Sequence, residues 1–235
     1  MLKKFYIKLD KSKFPEVCVK KAELENKFCE TIININWHEI LFNRISFIAL
    51  ATQLKNNCKY LEIGTDKNLC FNCIPVIDKT GVDPKSGGNV RKTSDDFFKD
   101  NKKMYDVIFI DGLHYFDQTR RDIKNGLNFL NEKGFMFIHD LIPRNFMEEF
   151  NPPMGNPWSG DVWKVSHELK KTEGIEFSVI KADHGVGLIK KIKPEVNYFN
   201  DYENLKNLKF KDYLEMNDSI NYIDAEKAIE KIKKS

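Results

Sequence analysis

The stretch "YDVIFIDGLHYFDQTRRDI", Tyr105 to Ile123, contains two periods in succession. Its first half is a near-continuous run of Val, Ile and Phe ending at Asp111, the pattern of a strand covered on both faces. Its second half opens a helix, in which Phe116, Ile123, Leu127 and Leu130 mark one face. Another buried run, "GFMFIHD", then follows and ends at His139 and Asp140. Strand, helix and strand in this order predict parallel pairing with a right-handed crossover.

The alternation extends in both directions. Upstream, "YLEIG" and "TGVDP" are short apolar runs, the second stopped by Pro84, and Ile40, Leu41, Ile45, Ile48, Ala49 and Thr52 recur at helical spacing between Glu39 and Leu54. Downstream, "DVWKVSHELKKTEG" predicts a helix with Asp161 as its N-cap and Gly174 as its stop. In "IEFSVIKADHGVGLIKKI" two strands are joined by "ADHG", a turn too short for a parallel connection, so this pair is antiparallel. The expected fold class is α/β, a mostly parallel sheet that finishes in a hairpin. Residues 1–38 are expected to be a leader packing on the core, 39–193 the central domain, and 194–235 a helical extension serving as a cap or a homo-oligomer contact. The loop "NPPMGNPWSG", residues 151–160, reads as a structured crossover or a lid.

Composition narrows the function classes. Charged residues make up 31%, yet the formal net charge is only +3 and the lysines are scattered, which argues against a nucleic-acid partner. No apolar run approaches the length of a membrane span and "MLKKFYIKLDKSKF" lacks a secretory pattern, so a cytoplasmic protein without a membrane partner is expected. Five irregularly spaced cysteines fit reduced thiols; Cys70 and Cys73 form a CxxC without the further ligands of a zinc site.

In open α/β sheets, ligands bind outside the carboxyl ends of the strands. Here those ends carry Glu62 with Gly64, then Asp83, Asp111, and His139 with Asp140, and their joint placement on one edge points to a site. Gly64 would let a ligand approach the backbone. Asp83, nineteen positions later, is placed to accept hydrogen bonds from two ribose hydroxyls, which points to an adenosine-bearing cofactor. In "TSDDFF", Ser94 reads first as an N-cap and second, by analogy, as an adenine contact.

The set "YLEIGTDKNLCF", "GVDPKSGG", "TSDDFF", "YDVIFIDGLHYFDQTRRDI", "GFMFIHDLIPRN" and "GDVWK", in this order and spacing, resembles the class I S-adenosylmethionine-dependent methyltransferases, within them a small branch with DGxHxY after the fourth strand and HD after the fifth. The resemblance covers roughly residues 40 to 192. It implies a Rossmann-like methyltransferase fold, with a mostly parallel seven-stranded sheet ending in an antiparallel hairpin and helices on both faces. It also implies S-adenosylmethionine as cofactor, with Glu62, Gly64 and Thr65 on its methionine side, Asp83 on the ribose, Ser94 near the adenine, and Asp111 beside the sulfonium and acceptor. One departure stands out: Asp66 and Asn68 occupy positions where the family usually has further glycines.

Transfer to an oxygen requires alignment of donor and acceptor and removal of the acceptor proton. His114 reads either as the general base, with His139 and Asp140 orienting it or the acceptor, or as a helix-start residue bonded to backbone. The alternative is a divalent metal ion held by Asp111 and Asp140 that acidifies the hydroxyl; an adjacent histidine suits manganese, iron or zinc better than magnesium. Trp158, Trp163 and Tyr115 are candidate walls for a sugar ring. The expected function is O-methylation of a sugar or other small hydroxyl acceptor, small-molecule or glycan. The competing readings are an inactive methyltransferase-like binding module and a nicotinamide-dependent oxidoreductase, for which "GTDKNL" lacks the required GxGxxG.

Overall fold

Four consecutive buried residues of Lys59–Ile63 split between two cores, because side chains of a strand alternate sides. Tyr60, with Val107, Phe109, Phe135 and Phe137, faces one apolar cluster, while Leu61 and Ile63, with Ile108, Ile110, Met136 and Ile138, face the other. The computed structural model describes residues 2–234. Its elements in chain order are β1 (Tyr6–Lys8), α1 (Glu16–Leu24), β2 (Thr31–Ile33), α2 (Arg44–Gln53), β3 (Lys59–Ile63), α3 (Leu69–Cys73), β4 (Asp78–Val82), α4 (Ser94–Asp100), β5 (Tyr105–Ile110), α5 (Phe116–Asn128), β6 (Leu130–Ile138), α6 (Phe146–Glu149), α7 (Val165–Leu169), β7 (Ile175–Ile180), β8 (Val186–Lys191), α8 (Tyr202–Leu205), α9 (Phe210–Met216), β9 (Tyr222–Ile223) and α10 (Ala225–Lys233).

The central sheet has seven strands in the order β4-β3-β5-β6-β8-β7-β9. Pairing is parallel from β4 through β6, then antiparallel at β6–β8 and β8–β7, as the "ADHG" turn requires. The seventh strand, β9, comes from the last forty residues and pairs parallel to β7. The pattern of that tail reads as helix alone, since a two-residue strand carries no period. Phe47, Ile48, Ala228 and Ile232 from α2 and α10 cover one face of the sheet; Ile123 and Leu127 of α5 cover the other, together with Leu2, Leu9, Val19, Ile33 and Trp37 from the first forty residues. Among the described residues no helix is long and apolar enough to cross a membrane.

Three caps differ from the sequence expectation. Thr93, not Ser94, caps α4, because its extended backbone lets Oγ1 accept from the Asp96 N–H at 3.1 Å. The helix expected from Glu39 starts at Arg44, capped by Asn43. Asp161 does not cap the short helical segment beside it; its carboxylate accepts from the Phe116 N–H at 2.8 Å and so closes the N-terminus of α5, 45 residues earlier in the chain. This contact is invisible to local pattern, yet it fixes the start of the helix that follows the site.

Candidate active site

The carboxyl ends of β3, β4, β5 and β6 open into a cavity of about 710 Å³ whose lining includes Glu62, Gly64, Thr65, Asp83, Ser94, Asp111, His114, His139 and Asp140. Every residue picked out at a strand end thus faces one space. The turn after β3 runs through Gly64 at φ +85°, Asp66 at +40° and Asn68 at +62°. Asn68 occupies the left-handed region that asparagine tolerates, and its Oδ1 accepts from the Gly88 N–H at 2.6 Å, which ties this turn to the next loop. Asp66 is exposed, its carboxylate 3.4 Å from the Ser86 hydroxyl. A Cβ at Gly64 would lie 2.1 Å from the Asp111 carbonyl oxygen and 2.6 Å from Gly112 Cα, so close approach of the chain leaving β5 by itself already requires a glycine there.

Asp83 stands directly after β4, but its carboxylate is already engaged. Oδ1 accepts from the Lys85 and Ser86 N–H groups at 2.7 and 2.9 Å, and Oδ2 from the Asp66 N–H at 3.1 Å. Burial opposes its charge, but these backbone bonds outweigh it and hold the acid below its ordinary range. A carboxylate offers about four acceptor positions, so one remains on Oδ2. Asp83 therefore has room for one incoming hydroxyl, not the two expected, and it also clamps both loops that border the cavity. Near Ser94, Gln118 Nε2 donates to Ser94 Oγ at 3.1 Å and to Asp122 Oδ1 at 3.0 Å, and burial pushes Asp122 up to about 6.

At the other end six ionisable side chains meet. His139 Nδ1 lies 3.1 Å from Asp111 and 3.3 Å from Asp140; His114 Nε2 lies 3.4 Å from Asp111, and its Nδ1 3.2 Å from Asp140. Arg44, the first residue of α2, approaches Asp111 at 3.7 Å and pairs with Asp183 at 2.8 Å, and Asp183 in turn lies 3.7 Å from His139 Nε2. Arg44 and Asp183 were not foreseen: one begins a helix in another part of the sequence, the other sits in a turn whose only visible role was to reverse the chain. Two backbone bonds bring that turn to the site, from Leu141 N–H to Gly185 and from Ile142 N–H to His184, and they follow Asp140 at φ +64°.

The charges decide what the histidines can do. For His114, burial disfavours the imidazolium, but the hydrogen bond to Asp111 and the carboxylates of Asp140 and Asp111 push its pKa up to about 9. His139 is raised well above its ordinary value against the same burial by Asp140 and Asp111, and Asp111 is correspondingly lowered. The expectation that His114 accepts the acceptor's proton fails on this ground: near neutral pH, without another cation in the site, it already holds one. Three acidic side chains, Asp111, Asp140 and Asp183, thus interleave with three basic ones, Arg44, His114 and His139, and Arg44 Nη1 also lies 3.4 Å from His139 Nε2.

Asp111, His139 and Asp140 each offer a ligand atom within 4.8 Å of the others, the one such group among the described residues. One imidazole and two carboxylates suit a borderline ion such as manganese, iron or zinc, and Asp183 beside the outer nitrogen of His139 is the partner a metal-bound histidine uses to fix its ring. The residues fit such an ion. Cys70 lines the same cavity, buried 4.0 Å from the Tyr60 hydroxyl, while Cys73 is exposed and is not part of its lining.

The loop 151–160 forms a wall of the site. His114 Nδ1 is 3.0 Å from the Trp158 carbonyl, the two rings lie 5.0 Å apart, and the Ser159 and Gly160 N–H groups both donate to the Glu148 carbonyl at 2.9 Å. Trp163 is wholly buried in the core and faces no ligand space, which removes it from the candidate sugar walls.

Residues 46–141 match the model of a family of methyltransferase domains. Over that segment the chain is similar to methyltransferase domains. The strands β3 to β6, whose carboxyl ends open into the cavity, all fall in the matched segment. Among solved structures, a protein described as an O-methyltransferase from Klebsiella pneumoniae is 13% identical over 68% of this chain and 84% of its own, with a TM-score of 0.52. The SAH-bound methyltransferase PaMTH1 of Podospora anserina is 15% identical over 77% of this chain and 89% of its own, with a TM-score of 0.50. These likenesses establish the fold. No curated protein matches the sequence.

The charge cluster has a consequence for stability. A group whose folded pKa is raised binds its proton more tightly in the folded state, so its contribution fades as pH rises to that pKa. His114, at about 9 against an ordinary 6.5, contributes fully below pH 6.5 and nothing above 9. Burial pushes Glu62 up to about 7 and Glu149 up to about 8, so the folded state is further penalised as pH climbs toward those values. In EDTA the melting temperature should fall between pH 6.5 and 9 by roughly 5 °C or more, read by scanning fluorimetry. A flat or rising profile would contradict the protonated histidines.

Proposed function

We propose that this chain is an S-adenosylmethionine-dependent O-methyltransferase acting on a small hydroxyl acceptor, a sugar among them. The observation that carries this is the arrangement of the cavity, with a ribose-type acid, Asp83, at one end and the Asp111–His139–Asp140 cluster at the other. S-adenosylmethionine supplies, when bound, a methyl group on a sulfonium that an oxygen can displace in line. Glu62, Gly64 and Thr65 border its methionine side in this reading, Asp83 accepts from one ribose hydroxyl, and Ser94 with Gln118 lies by the base. The acceptor hydroxyl would lie beside the Asp111–Asp140 carboxylates, which would accept its hydrogen bond and take up its proton only as the methyl group is transferred to the oxygen. His114 and His139 act as fixed cations that orient those carboxylates, and Arg44 holds Asp111 and Asp183 in place.

A second form of the same reading is favoured by the donor set. Asp111, His139 and Asp140 would hold a divalent ion, which would lower the pKa of the acceptor hydroxyl when bound. Binding of that ion would require His139 to give up its proton.

The test is direct. Titrating S-adenosylhomocysteine into the full chain should raise its melting point, by about 2.7 kcal/mol of stability at 100 times the dissociation constant, whereas NAD should leave it unchanged. Asp83→Ala should weaken that binding at least about ten-fold, since it removes a ribose contact and releases the clamp on both loops. Unaltered affinity in Asp83→Ala would remove the basis of the assignment.

A further inference from the structure

A second cavity, of about 600 Å³, adjoins the first across Asn156, which lines both. Its other walls include Trp37, Leu41, Arg144, Asp183 and His184. Its lining residues all lie outside the matched segment 46–141, on the approach to α2, the chain after β6, the loop 151–160 and the β7–β8 turn. Its size is that of a small-molecule site. It also abuts the charge cluster: Asp183 lies 3.7 Å from His139 Nε2, and the His184 and His139 rings are 6.3 Å apart.

The charges on the walls are paired with neighbours. Arg144 is held by Glu148 at 2.7 and 2.8 Å, and Asp183 by Arg44 at 2.8 Å, so each charge facing the cavity already has its partner. A phosphate or an ammonium group would have to break one of these pairs. A hydroxyl would not, because it can donate to Asp183 and accept from an amide or imidazole without disturbing either. Trp37 and His184, with ring centroids 5.5 Å apart, supply an aromatic corner, and the indole N–H of Trp37 is buried with no acceptor in the protein. An aromatic corner among donors and acceptors whose charges are paired matches a saccharide ring, with its apolar faces and its rim of hydroxyls, better than a flat phenol.

We infer that this second cavity is the acceptor subsite and that it takes a neutral hydroxyl-rich ring, a saccharide, presenting one hydroxyl across Asn156 to the Asp111–His139–Asp140 cluster. The inference rests on the O-methyltransferase reading above. The transfer is balanced: the saccharide oxygen gains the methyl, the donor leaves as S-adenosylhomocysteine with the sulfur lone pair, and the hydroxyl proton goes to the carboxylate pair.

The experiment uses the full chain with methyl-labelled S-adenosylmethionine and a panel of free hexoses, 6-deoxyhexoses, methyl hexosides and disaccharides, set against catechol and caffeate. Label is expected in a saccharide and not in the phenols. For the saccharide labelled, Trp37→Phe, His184→Asn and Leu41→Arg should each raise KM at least ten-fold while S-adenosylhomocysteine affinity stays within two-fold. Leu41 is 88% exposed at the cavity wall, so an arginine there obstructs entry without threatening the fold. Transfer to a phenol only, no transfer to any saccharide by protein that binds the cofactor, or an unmoved KM in all three variants would each overturn the subsite. Failure to bind S-adenosylhomocysteine at all would instead overturn the reading beneath it, and this proposal with it.

Discussion

Asp111→Asn should lower kcat/KM for methyl transfer by a factor of about a thousand or more, in keeping with the loss of a buried charged group acting on the reacting atoms. The substitution is nearly isosteric, so the effect is electrostatic. Asp111 is the one carboxylate that touches His114, His139 and Arg44 together, and removing its charge leaves those three cations facing only Asp140 and Asp183. Both forms of the proposed reaction fail in consequence. The carboxylate pair loses the member that helps take the acceptor proton, and the candidate metal group loses one of its three ligand atoms. The variant should keep its affinity for S-adenosylhomocysteine within a few-fold, because Asp83 and the turn after β3 are untouched. Calorimetric titration with Mn²⁺ separates the two forms: binding in the parent that vanishes in Asp111→Asn supports the metal form, and absence of binding in both supports the carboxylate pair alone. A kcat/KM within ten-fold of the parent would mean that the chemistry occurs elsewhere.

Gly64→Ala is expected to cost about 3–5 kcal/mol, the sum of a left-handed backbone forced on an L-residue and overpacking against backbone that cannot yield. The new Cβ would meet the Asp111 carbonyl oxygen at 2.1 Å and the Gly112 Cα at 2.6 Å, and neither is the end of a flexible side chain. For a chain of this size that corresponds to a fall in melting temperature of roughly 10 °C. The damage should also be functional, since the clash pushes apart the ends of β3 and β5, which carry Glu62 and Asp111. Gly155→Ala provides the contrast: its nearest new neighbour is the terminal carbon of Met147 at 3.4 Å, and its melting temperature should move by no more than about 2 °C. Thermal denaturation of both variants, with S-adenosylhomocysteine titration of each, reads out the comparison. Equal stability of the two would show that the crossing at Gly64 is not tight.

The acids after β4, β5 and β6 were legible in the residue order because each lies at a change of period: a buried strand signals itself by a continuous apolar run, and the first acid after it must sit at the sheet edge. The antiparallel finish was legible for a similar reason, since "ADHG" leaves no room for a crossover. Asn68 could be read as a tolerable replacement for glycine from its own conformational preference, and it does adopt φ +62°.

Protonation and partnership needed the third dimension. His114 reads as a base by its ordinary pKa, yet two carboxylates from two different strand ends, one of them 26 positions away, turn it into a cation. Asp83 reads as a free ribose acceptor, yet loops on both sides of it spend three of its acceptor positions on backbone. Arg44, Asp183 and Trp37 carry no local signal at all. Sequence alone determined which residues stand at the edge of the sheet, because strand period and turn length are local properties. Only the tertiary structure decided which of them share protons and which outside residues join them, because Coulomb and hydrogen-bond energies depend on distances through space that the order of residues does not contain.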